Sequence, residues 1–307
     1  MTRTDISFQT SDGVTLRGWF FAPETRSKDE KLPCLILTHG FTCVKEMGLD
    51  EVASRLTSAL PLSCLVFDFR GFGSSDTLPG QPRLEVIPSL QCSDLRDAIT
   101  FAQTTEGVDK DKIGLWGYSF SGGHVLYLGA VDRRVKAVIS LAPMTDGWEN
   151  FLRLARPDLV QQLNQGFEMD RISRAAGNPP TMLPVVSADP HGPCALPSRV
   201  SHEFFSAWEH EKSAWKNELT LRSAEELRAY TLPFSHLEHI TPTPVFMAIN
   251  TEDTNTPPDI GMRSYAKLSE PKELCIVDGH HYEMLGSKLD SWHEKQVAFL
   301  SRTLCKA

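Results

Sequence analysis

The chain has 307 residues, 41% hydrophobic and 23% charged, which is typical of a globular protein with one large domain or one domain carrying an insertion. Its formal net charge of −8, without a lysine- or arginine-rich stripe, excludes nucleic acid and anionic membranes as expected partners. Seven scattered cysteines favour a reducing compartment, and no apolar run reaches the length of a membrane span, so we expect a cytoplasmic protein.

A predicted hairpin is followed, from residue 34 to 142, by alternating predicted strands and helices. Residues 5–21 alternate polar and apolar side chains around Asp12 and Gly13, the pattern of a β-hairpin. Apolar runs at 34–38, 64–68, 113–118 and 135–141 predict buried strands, and amphipathic segments at 46–60 and 90–104 predict helices. Continuous apolar strands separated by helices predict a doubly wound, mostly parallel sheet with helices on both faces.

The alternation stops between Met144 and about His239. This stretch carries many prolines and large apolar side chains, and residues 208–228 predict one of its helices. We interpret residues 144–240 as a mostly helical lid inserted after the sixth strand, with an independent second domain as the alternative. Strands at 244–250 and 273–277 and helices at 258–268 and 290–304 complete a core formed by residues 1–143 and 241–307.

Residues 113–123 have the pattern of a nucleophile elbow, a tight strand-to-helix turn that holds a serine hydroxyl above the edge of a sheet. The turn requires small residues two positions before and after the serine. Gly117 and Ser121 meet this requirement around Ser119, although glycine is usual at the second position. The alternatives are Ser121 as nucleophile or a plain glycine-rich turn. We prefer Ser119 because Gly117 lies directly at the end of the apolar strand.

A serine hydroxyl, an aspartate carboxylate and a histidine imidazole each follow a predicted strand, at the sheet edge where parallel sheets bind ligands. Ser119, Asp253 and His281 occur in the order of an α/β-hydrolase catalytic triad. His281 would accept the serine proton as a base, and Asp253 would orient the imidazole and stabilise its charged form. The alternatives for the base and the carboxylate are His280, Glu252, Asp259 and Asp146.

Acyl transfer at a serine also needs hydrogen-bond donors for the oxyanion of the tetrahedral intermediate. We predict the backbone N–H of Phe120, directly after the nucleophile, and that of Phe41, in the loop after the third strand. No cofactor is expected, because residues 68–73 lack the third glycine of a dinucleotide fingerprint, and Arg70 is interpreted as a loop organiser. No metal is expected either, since metal-ligand spacing is missing among His191, His202, His210, His236 and His239.

Several segments resemble a fungal polyketide transferase and hydrolase family within the α/β-hydrolase superfamily. They are Thr38-His39-Gly40-Phe41, Val44-Lys45-Glu46-Met47-Gly48-Leu49, Ile113-Gly114-Leu115-Trp116-Gly117, Ser121-Gly122-Gly123-His124-Val125-Leu126 and Asp132-Arg133-Arg134-Val135-Lys136-Ala137-Val138. The resemblance implies the α/β-hydrolase fold, with a mostly parallel eight-stranded sheet, and places the family's triad on Ser119, Asp253 and His281. The last loop of the family usually contains Gly-Gly-His-Phe, and this chain departs from it at His280.

The resemblance further implies chemistry on polyketide acyl chains by hydrolysis, transfer or lactone formation. We expect a serine hydrolase or acyltransferase that acts on an ester or thioester of a polyketide or other apolar acyl chain in secondary metabolite biosynthesis. The insertion would cover Ser119 and supply the acyl pocket. A polyketide synthase carrier domain could deliver the substrate, and a homodimer is compatible with the sequence. The alternatives are a non-hydrolytic ligand-binding protein, or a cyclase that forms no acyl-enzyme.

Overall fold

The computed structural model describes residues 1–24, 30–209 and 214–306, so His210 lies outside the described residues. The strands are β1 (Thr2–Gln9), β2 (Thr15–Ala22), β3 (Leu32–Thr38), β4 (Ser63–Phe67), β5 (Val108–Tyr118), β6 (Val135–Leu141), β7 (Met182–Leu183), β8 (Leu219–Thr220), β9 (Val245–Asn250) and β10 (Lys272–Val277). The α-helices are α1 (Leu49–Ala59), α2 (Pro88–Thr104), α3 (Phe120–Val131), α4 (Gly147–Leu154), α5 (Val160–Ala175), α6 (Arg199–Glu209), α7 (Leu221–Ala229), α8 (Leu232–His236), α9 (Pro258–Lys267) and α10 (Leu289–Arg302). Short 3₁₀ helices lie at Pro157–Leu159, Leu237–His239 and His281–Leu285.

Eight strands of the described chain form one sheet, in the spatial order β1-β2-β4-β3-β5-β6-β9-β10. The β1–β2 hairpin is antiparallel, as predicted from its turn residues, and β2 also pairs antiparallel with β4. The remaining neighbours are parallel. The prediction of a mostly parallel eight-stranded sheet is therefore confirmed.

Helices cover both faces of this sheet. Successive residues of its inner strands point to opposite sides, so each strand contacts both layers of helices. In β3, Cys34 and Ile36 join the core cluster that includes α2 and α3 residues. Leu35 and Leu37 join the cluster that includes α1 and α10 residues. Two buried faces explain why β3 is apolar along its length instead of alternating.

The insertion between β6 and β9 contains α4 to α8 and the two-stranded ribbon of β7 and β8. The prediction of one helix over residues 208–228 is wrong. The helix α6 ends at Glu209, residues 210–213 lie outside the described chain, and α7 begins only at Leu221. The amide of Asn217 bonds both the N–H and the carbonyl of Val186, at 2.9 and 3.0 Å, and β8 then pairs with β7. These contacts hold the segment before α7 outside a helix, with a bend at Asn217 followed by the two strand residues of β8.

Arg70 connects three parts of the core through ion pairs. Its guanidinium binds Asp12 in the hairpin turn at 2.8 Å and the buried Asp94 of α2 at 2.6 Å. The structure thus gives Arg70 the organising contacts that its loop position suggested.

No helix in the described ranges has the length and apolar character needed to cross a lipid bilayer.

Candidate active site

Ser119 occupies a strained turn between β5 and α3. Its φ and ψ are 60° and −118°, a conformation that residues other than glycine rarely adopt. Two backbone hydrogen bonds hold it, from its N–H to the Leu141 carbonyl at 2.8 Å and from the Met144 N–H to its carbonyl at 3.0 Å. A Cβ at Gly117 would lie only 2.2 Å from the carbonyl oxygen of Ser121, which explains the glycine before the nucleophile.

Ser121 lies inside the turn and is fully buried. Its hydroxyl accepts a hydrogen bond from the Tyr118 N–H at 3.1 Å and donates one to the Thr38 carbonyl at 2.8 Å. These two bonds fasten the start of α3 to the ends of β5 and β3. The hydroxyl of Ser121 is therefore committed to backbone groups, whereas that of Ser119 borders the pocket described below.

The structure brings Ser119, Asp253 and His281 together in one hydrogen-bonded chain. Nε2 of His281 lies 2.9 Å from the Ser119 Oγ, and Nδ1 lies 2.6 Å from Oδ2 of Asp253. Both His281 and Asp253 are buried. An ionised carboxylate can only accept, so Nδ1 carries the imidazole proton and Nε2 is the atom that can accept the serine proton.

The loop after β9 holds the Asp253 carboxylate from its other side. Oδ1 accepts backbone N–H bonds from Asn255 and Thr256, both at 2.8 Å. Oδ2 also accepts from the Thr256 hydroxyl at 2.9 Å. Four hydrogen bonds, one of them from His281, therefore fix which oxygen faces the imidazole.

The alternative triad residues point elsewhere. The side chain of His280 is 39% exposed, and its Nε2 lies 3.8 Å from Glu283. Asp146 accepts the backbone N–H at the start of α4 as its capping residue. Asp259 forms a surface ion pair, and Glu252 is exposed.

The two predicted oxyanion donors lie on either side of Ser119. Phe120 is the first residue of α3, and its backbone N–H has no acceptor within the described residues, nor does that of Phe41. The Phe41 and Phe120 rings meet edge to face at 5.5 Å, and both residues border the pocket. A Cβ at Gly40 would lie 3.2 Å from the Ser119 Cβ, so glycine lets this loop approach the nucleophile closely.

His39 orients the peptide that carries the Phe41 N–H. Burial lowers the pKa of His39, which keeps the imidazole neutral. Its Nε2 accepts the Phe69 N–H at 3.2 Å, so Nδ1 carries the proton and donates to the Gly40 carbonyl at 3.0 Å. The carbonyl of Gly40 and the N–H of Phe41 point in opposite directions across one planar peptide. Fixing the carbonyl therefore fixes the direction of the N–H.

Two residues that support His281 were missed in the sequence. The Tyr118 hydroxyl donates to the His281 carbonyl at 2.9 Å, and the Asn250 amide donates to the same carbonyl at 3.1 Å. Tyr118 ends β5 and Asn250 ends β9. Their strand-end positions are the signal in the sequence, but the contact itself depends on where the last loop folds.

A buried polar cluster behind Phe120 was also missed. Nδ1 of His124 lies 2.7 Å from the Tyr230 hydroxyl, and Nε2 lies 3.1 Å from Oε1 of Gln91. The His124 ring packs 4.6 Å from that of Phe120. Burial lowers the pKa of His124 to about 3, so its imidazole is neutral and joins the core helices to Tyr230 of the insertion.

The insertion supplies one side of the pocket at Ser119, and loops of the core supply the rest. Residues that it contributes are Met144, Asn150, Leu154, Leu196, Phe205 and Leu227. A second, apolar pocket lies deeper in the insertion and shares the walls formed by Phe41, Leu154 and Leu227. The free space is about 30 Å³ beside Ser119 and about 70 Å³ in the deeper pocket. An acyl chain of several carbons therefore requires these wall side chains to move apart.

The described residues contain no cluster of three or more histidine, cysteine or acidic side chains that could hold a metal ion.

The hydrogen-bonded chain at Ser119 resembles the arrangement that activates serine in acyl transfer. A family model described as alpha/beta hydrolase fold matches residues 33–285. The chain belongs to the α/β-hydrolase family. The matched range includes all three residues of the hydrogen-bonded chain and the two oxyanion candidates.

Relatives of this α/β-hydrolase include fungal proteins named for polyketide chemistry. A thiohydrolase of Eupenicillium brefeldianum is 33% identical, over 97% of this chain and 94% of the relative. A polyketide transferase of Stachybotrys chlorohalonatus is also 33% identical, over 99% of this chain and 98% of the relative. The crystal structure of the α/β-hydrolase GrgF from a Penicillium species has a TM-score of 0.85 at 29% identity and covers 100% of both chains.

A structure of DcsB in complex with its substrate analogue is similarly close, with a TM-score of 0.86 at 27% identity. It covers 99% of this chain and 100% of that one. The comparisons thus show that the chain is an α/β-hydrolase. They also confirm its resemblance to fungal polyketide transferases and hydrolases, which the sequence segments indicated.

Proposed function

We propose that this protein transfers acyl groups from an ester or thioester of a polyketide or other apolar acyl chain through a covalent acyl-enzyme on Ser119. The observation that carries the proposal is the continuous hydrogen-bonded chain from Ser119 through His281 to Asp253, with distances of 2.9 and 2.6 Å. The names of the fungal relatives support a role in secondary metabolite biosynthesis.

In the first half of the reaction, the Ser119 hydroxyl gives its proton to Nε2 of His281 while its oxygen attacks the acyl carbonyl carbon. The backbone N–H groups of Phe41 and Phe120 would stabilise the oxyanion of the tetrahedral intermediate. The intermediate collapses as the bond to the thiol or alcohol breaks, and the leaving group takes the proton from His281. The acyl group is then an ester of Ser119.

In the second half, His281 takes a proton from the acceptor, whose oxygen attacks the acyl carbon. As the bond to Ser119 breaks, His281 gives that proton to the Ser119 oxygen, which restores the hydroxyl and the neutral imidazole. The acceptor is water, an alcohol or a hydroxyl of the same chain. We propose that residues 144–240 act as a lid that controls which of these reaches the ester, because apolar side chains of the insertion, such as Leu154, Leu196 and Phe205, border the pocket at Ser119. A polyketide synthase carrier domain is the proposed donor of the acyl thioester.

A fluorophosphonate probe tests the nucleophile directly. Peptide fragmentation of the labelled wild-type protein should place the adduct on Ser119 and not on the neighbouring Ser121. A rapid burst of product from an activated ester, equal to the protein concentration, should accompany labelling and disappear in Ser119→Ala. Product formation that persists in Ser119→Ala would instead support the cyclase alternative, in which no acyl-enzyme forms.

A further inference from the structure

Asn150 is a buried amide in the wall of the Ser119 pocket. It lies on α4 of the insertion, is 1% exposed and borders the same space as Ser119 and His281. Most neighbouring wall residues from the insertion are apolar, including Leu154, Leu196 and Phe205 in this pocket. A polar side chain at this position needs a partner, because a buried polar group without a hydrogen bond is destabilising.

One half of this amide is satisfied by the protein. Nδ2 of Asn150 donates to the backbone carbonyl of Asn255, two residues after Asp253. A carbonyl oxygen only accepts hydrogen bonds, so the nitrogen of Asn150 must face it, which settles the orientation of the amide. The other half, Oδ1, has no partner among the residues that the structure describes.

The other polar groups in this wall satisfy one another. The Asn255 amide donates to the Tyr282 hydroxyl at 2.9 Å and to the Ser201 hydroxyl at 3.1 Å. The Tyr282 hydroxyl in turn donates to Ser201 at 2.9 Å. Among the described side chains that border the pocket, Oδ1 of Asn150 is thus the buried polar atom that lacks a partner. It can accept a hydrogen bond and cannot donate one.

The position of Asn150 indicates which part of a substrate would meet it. Leu154 lies four residues later on α4, one helical turn away, and forms part of the boundary with the deeper apolar pocket. Asn150 borders the pocket at Ser119 but not the deeper one, whereas Leu154 borders both, so an acyl chain on Ser119 would meet Asn150 within the first pocket. We infer that Oδ1 of Asn150 accepts a hydrogen bond from a hydroxyl group on the acyl chain, so the preferred substrates are hydroxyacyl thioesters.

This inference rests on the proposed function, since it assumes that the acyl group is bound at Ser119. The test uses N-acetylcysteamine thioesters of one chain length, with a hydroxyl at carbon 3, 5 or 7. Three matched compounds carry hydrogen, a ketone or a methoxy group at the same carbon. Only the hydroxyl can donate to Oδ1. For at least one position we expect a kcat/KM about tenfold or more above that of all three matched compounds, since a buried acceptor is otherwise left unpaired.

Two variants separate recognition from structural disturbance. Asn150→Leu removes the acceptor and should bring the ratio of kcat/KM for the hydroxyl and deoxy compounds close to one. Ser201→Ala loosens the Asn255 and Tyr282 contacts without touching Asn150, and should change both rates while preserving their ratio. Equal kcat/KM values for the hydroxyl, ketone and methoxy compounds on the wild-type protein would overturn the inference without any variant, so it stays testable even if Asn150→Leu does not fold.

Binding to Ser119→Ala, measured by calorimetry, separates this inference from the proposed function. A hydroxyl preference in binding without acylation of the wild-type protein would overturn the acyl-enzyme and retain the role of Asn150. Acylation with equal rates for the hydroxyl, ketone and deoxy compounds would overturn the role of Asn150 and retain the acyl-enzyme. A hydroxyl preference that survives in Asn150→Leu would also overturn it.

Discussion

Different kinds of interaction position the catalytic edge of the sheet and the insertion that borders it. Ser119, Asp253 and His281 each follow a parallel strand, and the ladders of β5, β9 and β10 fix where those strands end. The insertion approaches the same site through individual side-chain contacts, such as Tyr230 with His124 and Asn150 with Asn255. Under the proposed function, the core would carry out the chemistry, whereas the insertion would select the acyl chain that undergoes it.

The largest effect is expected for Asp253→Asn in the core. Oδ1 of Asp253 accepts two backbone N–H bonds, so the oxygen of the new amide must stay there and its NH₂ must face His281. The imidazole then carries its proton on Nε2 and cannot accept the Ser119 proton. We expect kcat to fall by about 10⁴-fold, as expected for the wrong tautomer. Steady-state kinetics measure this, with the surface variant Asp259→Asn as control, and a loss below tenfold would contradict the account.

In the insertion, Leu154→Trp should change chain-length preference. Leu154 lies between the two pockets, and the larger ring would block the path from Ser119 to the deeper one. The kcat/KM ratio of decanoyl to butanoyl thioesters should fall by about tenfold or more, since a blocked chain loses the burial of several methylenes. Leu152→Trp on the same helix is the matched control, because Leu152 is 49% exposed. An unchanged ratio in Leu154→Trp would place the acyl chain elsewhere.

Tyr230→Phe tests the connection between the two regions. The change keeps the aromatic ring but leaves Nδ1 of His124 with the weaker contact to the Cys92 thiol, at 3.6 Å, as its remaining partner behind Phe120. We expect the free energy of unfolding to fall by about 1 kcal/mol, the net contribution of one buried hydrogen bond. Urea unfolding measures this, with Tyr127→Phe on α3 as control. Equal stability of the two variants would show that the His124–Tyr230 contact does not secure the insertion.

Ser121→Ala should have the smallest effect on turnover. The Ser121 hydroxyl bonds only the backbone of Thr38 and Tyr118, so its loss should destabilise the turn by about 1–3 kcal/mol. We expect kcat to change by less than about tenfold, because Ser119 keeps its backbone hydrogen bonds to Leu141 and Met144. Parallel measurements of kcat and urea unfolding separate the two effects. A folded Ser121→Ala protein with a 10³-fold lower kcat would give Ser121 a chemical role.

The two regions also differ in how far the sequence predicts them. Apolar runs and the residues after them predicted the sheet, and the positions of Ser119, Asp253 and His281 at one edge, because parallel ladders bring strand ends together. In the insertion the predicted helix at 208–228 was wrong, because Asn217 bonds the distant backbone of Val186. The sequence also did not predict that Asn150 lies in the pocket wall, since its position there depends on a contact with Asn255, 105 residues away.

Intact-mass spectrometry of the protein mixed with an acyl thioester tests the central claim most directly. Quenching within milliseconds should show a mass increase equal to one acyl group, less the hydrogen that the serine loses. Fragmentation should place this group on Ser119, and Ser119→Ala should show neither the adduct nor turnover. Turnover of the same thioester by Ser119→Ala at the wild-type rate, with no acyl adduct on the wild-type protein, would contradict the account.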